Sequence, residues 1–406
     1  MSNIVPKLRL VDPRPTQHSG QMGYVLRDPL GLSDSALFLP QALAAAISFI
    51  NGRRSAEEIS STYAYRYGTV LPVEQVQELV SALDEALLLD NVRTAQTKQT
   101  KLVEYRNAPA REMICAGGSY PHTAAALKRR LNQYLDDAPQ PSRAQRGQTL
   151  RGIISPHIDY PRGGNVYAQA WKVAEKAAQK ADLAIIIGTD HYGGESLFTL
   201  TQQNYATPYG TLPTATPIVN QIAEAIGPEA AFASELFHTV EHSLELPLVW
   251  LHHMRNGQPI EVVPILAGSF YEQMTAGKTP AQHKRGAAFL EALQHSMQGR
   301  RVLVIASGDL SHVGPAFGGE PLDAKHKALL QQDDEAIMTR IAASDAEGWF
   351  RAIGQADNKN NVCGLAPVYF TLKALTQAQG QLHGYDMCKA DDANTSVVTV
   401  CGAVLS

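Results

Sequence analysis

Six short apolar runs constrain this chain more than any other feature in it: "GIIS", "LAIIIG", "SLFTLT", "EVVPILAG", "RVLVIASG" and "TSVVTVCGAVL". Most are only a few residues long and rich in Ile and Val, and they lie between helix-period patterns near 165–180, 217–226, 243–254, 281–297, 323–342 and 365–378. Short apolar strands that do not alternate with polar residues are strands covered on both faces. The expected class is therefore α/β, a central sheet flanked by helices. No internal repeat interrupts that pattern.

The chain has 406 residues, long enough for more than one domain. A formal charge of −4 leaves no basic footprint for nucleic acid, and no Lys/Arg cluster suggests a membrane surface. The start "MSNIVPKLRLVDPRP" has no apolar signal core, and no apolar run reaches membrane-spanning length. Four scattered cysteines, none in a CxxC pair, fit neither a disulfide scaffold nor a zinc finger. The expected location is cytoplasmic.

The first hundred residues read as a small separate module. "YVLRD" and "ALFLP" have strand character, and "QALAAAISFI" is a helix closed by "NGRR". Ser55 and Glu58 form a capping box ahead of a second helix, and "PVEQVQELVSALDEALLL" is amphipathic with Pro72 at its first turn. "LLLDNVR" is expected to return as a short strand. The expected boundaries are a mainly helical, winged-helix-like module over 1–93, a polar linker over 94–106 around "TAQTKQTK", and an α/β domain over 107–406. Within residues 1–93, "DPLGLS…FINGRRSAEEIS…LVSALDEALLLD" resembles the PqqD-like peptide-recognition domains.

Chemistry gathers where strands end. "SPHIDY" carries His157, "GTDHYGG" carries Asp190 and His191, and "ASGDLSH" carries Asp309 and His312. All three follow apolar strands, and open α/β sheets collect ligands beyond strand ends. "NNVCGLAPV" adds Cys363 before an apolar helix, and "EHSLELPLVWLHH" places Glu241, His242 and Glu245 at a helix start, with 241 and 245 expected on one face. Pro156 is expected to stiffen the approach to His157, and Gly163 and Gly164 to let the chain turn into the next helix. His252 and His253, toward the end of that later helix, are expected to be structural.

In this order, "ISPHIDYPRGG", "IIIGTDHYGG", "TPYGTLP", "VEHSLELPL", "VVPILAG", "ASGDLSH" and "VCGLAPV" resemble the Memo family, from "CAGGSYP" through "SVVTVCGAVL". The resemblance implies a fold similar to class III extradiol dioxygenases, with a metal site whose two His and one Cys match His157, His191 and Cys363. The family's "SDxxH" segment matches Asp309 and His312, which it implies lie beside the metal as the catalytic candidates. Asp190, Glu241 and His242 are expected to hydrogen-bond the ligands and fix their tautomers. Imidazoles and a thiolate suit Fe(2+) or Cu(2+), with Zn a third option, and not Mg or Ca.

Three positions depart from the family pattern. Ser119 precedes Tyr120 where a Trp is usual, Ala215 replaces an acidic residue, and Thr399 replaces a Tyr. The implied function is a metal-dependent oxidoreductase acting on a small molecule or a peptide-borne group. The alternative is a non-catalytic peptide-binding or scaffold protein with a structural or regulatory metal. The resemblance also implies partners of the radical-SAM and AMMECR1-like kinds, the AmmeMemoRadiSam set.

Overall fold

The structure is a computed structural model that describes residues 3–193 and 196–406. The chain divides into two compact units, Met1–Asn107 and Ala108–Ser406.

The first unit opens with an antiparallel sheet of β1 (Asp12–His18), β2 (Gln21–Arg27) and β3 (Leu37–Pro40), in that spatial order. Ser19 and Gly20 both have positive φ, 49° and 80°, as a tight hairpin turn between right-twisted strands requires. The helices Ala56–Tyr67 and Val73–Glu85 follow. Ser55 and Glu58 do form the capping box: Glu58 N–H donates to Ser55 Oγ at 3.3 Å, and Ser55 N–H to Glu58 Oε2 at 2.8 Å. Leu26, Leu39, Phe49, Ile59, Val76 and Leu83 share one core.

Two expectations for this unit change. A three-stranded sheet leads it, and β1 was invisible to pattern reading because "DPRPTQH" has two prolines and no apolar alternation. Pro13 and Pro15 are tolerated because β1 is an edge strand. "LLLDNVR" supplies only a single bridge, Leu8 to Leu89. Residues 94–106, expected as a linker, lie inside the helix Val92–Asn107. That segment has neither Gly nor Pro, is rich in Gln, Lys and Arg, and starts where Asn91 Oδ1 accepts from Thr94 N–H at 3.0 Å.

The second unit is built on an eight-stranded sheet. Its strands are β4 (Gly152–Ser155), β5 (Leu183–Thr189), β6 (Phe198–Leu200), β9 (Glu261–Ala267), β10 (Val302–Ser307), β11 (His312–Val313), β12 (Gly380–Lys389) and β13 (Val397–Leu405). The remaining two, β7 (Tyr205–Thr207) and β8 (Gly210–Leu212), form a separate hairpin. The spatial order is β11-β13-β4-β10-β5-β9-β6, with β12 on β13. β4, β10, β5 and β9 run parallel, so their carboxyl ends lie at one edge. β12 escaped the sequence reading because "GQLHGYDMCK" mixes polar and apolar residues, as a partly solvated antiparallel strand does.

Alternate residues of these strands feed two cores. Ile154, Ile185, Ile187, Val263, Ile265 and Val304 point to one, packed by helices including Thr216–Ile226, Lys284–Ser296 and Leu365–Ala374. Ile153, Ile186, Val262, Leu266 and Ile305 point to the other, under the helices Ala124–Asp137, Tyr160–Lys180 and Glu245–Met254. The α/β architecture with helices on both faces is what the unbroken apolar runs require. Among the described residues, no helix is long and apolar enough to cross a membrane.

Gly163 and Gly164 do not turn the chain; both lie inside the helix Tyr160–Lys180. A Cβ at Gly163 would meet Ile158 Cγ2 at 2.3 Å, and one at Gly164 would meet the Tyr134 ring at 2.4 Å. Their task is close packing of this helix.

Three buried histidines of this unit make its stability depend on pH. Thr199 O accepts from His238 Nε2–H at 3.1 Å, so Nδ1 accepts from Tyr205 OH at 2.6 Å and the ring is neutral. His252 Nδ1 lies 2.7 Å from Thr207 Oγ1, and His253 Nδ1 lies 2.9 Å from Tyr209 OH. Burial pushes His238 down to about 3, and His252 and His253 down to about 4. In the unfolded chain each would take up a proton near about pH 6.5. Between those values the unfolded chain binds more protons, so stability is full above about pH 6.5 and falls as pH drops toward 4. At about 1.4 kcal/mol per unit, each ring accounts for a few kcal/mol at most. Thermal melts from pH 7.5 to 4.5 are expected to show a steep fall in Tm, flattened in His252→Gln/His253→Gln. A level profile would show that these rings charge freely inside the fold.

Candidate metal centre

The carboxyl ends of three neighbouring parallel strands deliver the candidate residues. β4 runs into His157, β5 into Asp190 and His191, and β10 into Asp309. Two further loops, each immediately before a helix, bring His242 and Cys363. The chain crossing at the last of these is tight: a Cβ at Gly308 would meet Gly364 Cα at 2.4 Å, and one at Gly364 would meet Asp309 O at 2.8 Å. Only glycine at both positions lets the Asp309 and Cys363 loops touch, and Gly364 N–H then donates to Asp309 O at 2.9 Å.

His157 is at the centre and 1% exposed. Its Nε2 lies 3.2 Å from Cys363 Sγ and 3.7 Å from Asp309 Oδ2. Ser307 Oγ–H is committed to Ser243 O, so the 3.4 Å contact has His157 Nδ1–H donating to Ser307 Oγ. That tautomer turns the Nε2 lone pair toward the thiol. Burial, reinforced by His191 and His242, pushes the His157 pKa well below its ordinary value, so the ring is neutral and able to bind a cation.

Glu241 fixes the other two imidazoles. It is 1% exposed, and its oxygens lie 3.0 and 3.1 Å from His191 Nδ1 and 3.2 Å from His242 Nδ1. It also accepts from His191 N–H and Ser243 N–H, both at 2.9 Å. Burial opposes its ionisation, but His191 and His242 outweigh that and hold the carboxyl well below its usual range. His191 mirrors it: burial discourages charge, and Glu241 reverses the balance and raises the imidazole well above its ordinary value. With Nδ1 given to Glu241, Nε2 of His191 is left for its hydrogen bond with Cys363. A cation taking that position displaces a proton, so retention weakens in acid.

Two donor groups result, sharing His157. In one, ligand atoms of His157, His191 and His242 lie within 4.8 Å of one another; in the other, those of His157, Asp309 and Cys363 do. The donor chemistry fits a transition metal, because imidazoles and a thiol predominate. His242, expected as a supporting residue, stands among the possible ligands: its ring stacks on His191 at 4.8 Å between centroids.

Other expected residues fall differently. Asp190 Oδ1 accepts from Tyr192 N–H and Gly193 N–H, both at 3.1 Å, and so closes the turn carrying His191. His312 belongs to neither donor group; its Nδ1–H faces Leu310 O at 3.2 Å and Asn361 O at 3.1 Å. Burial, then the charge of His191, pushes His312 down to about 4. Asp309 is pushed up to about 6 by burial, against the His157 N–H that it accepts at 2.8 Å.

Glu241 and Glu245 do not share a helix face, because the helix starts at Glu245. Glu245 instead pairs with the buried Arg111 and accepts from Cys115 N–H at 2.9 Å and Tyr120 OH at 2.6 Å. Arg111 also donates to His238 O at 2.7 Å and Glu241 O at 2.6 Å, holding the loop that carries Glu241. The sequence carries no local signal for this arginine.

Residues 111–404 match the family described as "Memo-like protein". The chain belongs to the Memo family. A MEMO1 family protein of Aquifex aeolicus is 24% identical over 390 residues, covering 94% of this chain and 95% of that protein. Alignment with this Memo relative therefore includes most of residues 1–107. A second, from Thermus thermophilus, is 27% identical over 330 residues, covering 81% and 92%. A third, from Pyrococcus furiosus, is 26% identical over 260 residues, covering 63% of this Memo chain and 83% of its own.

Glu241→Gln is expected to weaken metal retention about ten- to a hundredfold with the fold intact. Every contact given to this carboxylate comes from a donor, and an amide would turn an NH2 toward one of them. Competition with a chelator reads the change directly; unchanged affinity would reduce Glu241 to a purely structural anchor.

Proposed function

We propose that this protein is a metal-dependent oxidoreductase whose ion, iron or copper, is held by His157, His191 and Cys363, acting on a small molecule or a peptide-borne group. The observation that carries this reading is the half-buried thiol of Cys363, 3.2 Å from a neutral His157 Nε2 and hydrogen-bonded to a His191 that Glu241 orients. A redox ion bound there supplies electron transfer and a Lewis-acid position open to dioxygen or substrate. The protein's own groups supply the proton chemistry. Asp309, which burial raises to about 6 before any cation is bound, and His312, neutral with Nδ1–H facing carbonyls, are the groups that would hold or move a proton. His242, tied to the same carboxylate as His191, serves as an added ligand or a contact to substrate.

The test is anaerobic purification, elemental analysis, and oxygen uptake with a reductant present. Iron or copper stoichiometric with the chain, and uptake lost in Cys363→Ser, is the expected result. Zinc with no uptake would overturn the oxidoreductase reading in favour of a peptide-binding protein with a structural ion.

A further inference from the structure

The second unit has a cavity of about 630 Å³ at the opposite end of the sheet from the metal centre. It is bounded by Arg151, just before β4, and by Val302, where β10 begins. The metal centre lies at the far ends of those strands, roughly 15–20 Å away for strands of this length. No step proposed above uses this cavity.

Its lining has two parts. Leu150, Val173, Met297 and Leu375 give an apolar floor, and Lys172, Lys176, Lys180 and Arg151 give a cationic wall. The three lysines are spaced four residues apart on the helix Tyr160–Lys180, so they fall on one face, where like charges repel. The helix C-terminus offsets part of that repulsion. Among the described residues none of these four cations is paired with a carboxylate. Lys172 Nζ donates to Leu135 O at 2.6 Å and Ala138 O at 2.7 Å, and Arg151 to Thr376 O at 3.0 Å, contacts that hold them without neutralising them. Two further arginines at the rim are already matched, Arg301 with Asp182 and Arg300 with Glu261. Glu175 is the one acidic residue among the described residues of the lining. An uncompensated positive wall is thus kept on a chain whose net charge is −4.

We infer that this cavity binds a small amphiphilic anion, a carboxylate or similar acid carried on a hydrocarbon or aromatic body. The volume is in the range of small-molecule sites, which combine apolar walls with a few placed charges. A bare inorganic anion would leave the apolar floor hydrated, and an uncharged hydrocarbon would leave the lysines facing one another. An amphiphilic acid satisfies both. The inference is independent of the metal reading.

Titration calorimetry on the full chain with octanoate tests it, with octanol and inorganic phosphate as comparison probes. Octanoate is expected to bind saturably at one site and more weakly as salt rises. Octanol and phosphate are each expected to bind at least about tenfold more weakly, by loss of one part of the lining. Lys176→Glu/Lys180→Glu is expected to weaken octanoate by about tenfold or more, since two attractions become repulsions. Both positions are exposed, so the fold is expected to survive, and a thermal melt checks that it has. The same charge change at Lys98 and Lys325 is expected to leave binding as it was. Absence of saturation, equal binding of octanol, or equal affinity in the Lys176/Lys180 variant would each overturn the assignment. Should that variant misfold, Leu150→Ser removes part of the floor instead, and unaltered octanoate affinity there would overturn it as well.

Discussion

Replacing Cys363 with serine is expected to abolish retention of a thiophilic transition metal while the fold persists. The side chain is the only sulfur in either donor group, and a hydroxyl at neutral pH is a poor substitute for a soft thiolate. Losing a supporting partner alone costs about ten- to a hundredfold in affinity, so loss of a ligand is expected to exceed about a hundredfold. The backbone at this position is held by other bonds. Thr189 Oγ1–H donates to Cys363 O at 2.9 Å, and Gly364 N–H donates to Asp309 O. Neither depends on sulfur. Elemental analysis after desalting reads the outcome, and a thiolate charge-transfer band seen with Co(II) in the parent is expected to vanish. Full metal content in Cys363→Ser would exclude the cysteine as a ligand. Retention in a His157→Ala/His191→Ala variant would remove the assignment altogether.

Arg111→Met is expected to be the most destabilising single change in the second unit outside the apolar core. Arg111 and Glu245 are each 1% exposed, and removing one member of such a pair strands the other's charge, at about 3–5 kcal/mol. For a unit of this size the melting temperature should fall by roughly ten degrees. A second effect follows from geometry: Arg111 holds the carbonyls of His238 and Glu241, so its loss also loosens the carboxylate that orients His191 and His242. Lower metal retention measured well below the melting transition is the signature. Adding Glu245→Gln removes the stranded charge, and the double variant is expected to regain part of the stability but not the metal retention. If Arg111→Met melts like the parent, water has reached Glu245 and the pair is not buried in solution.

Local pattern in the sequence determined the six apolar strands and the main helices of the α/β unit, though not β12, and that His157, His191 and Asp309 stand beyond strand ends. Apolar runs of β-like length decide this through burial, and the residues after them emerge at the sheet edge whatever the rest of the chain does. Ordered motifs likewise determined membership of the Memo family. Elements that follow no apolar period, such as β1 with its two prolines and the polar helix Val92–Asn107, were not legible, since edge pairing and helix propensity stabilise them without a core stripe. Tertiary structure alone decided the partners. His157 meets Ser307 because β4 and β10, some 150 residues apart, are neighbours in the sheet. Glu241 serves His191 and His242, Glu245 serves Arg111, and Asp190 closes a turn, a division that residue spacing cannot express. A buried charge must find its counterion across whatever surface the packed elements present, and that surface exists only once the sheet order is set.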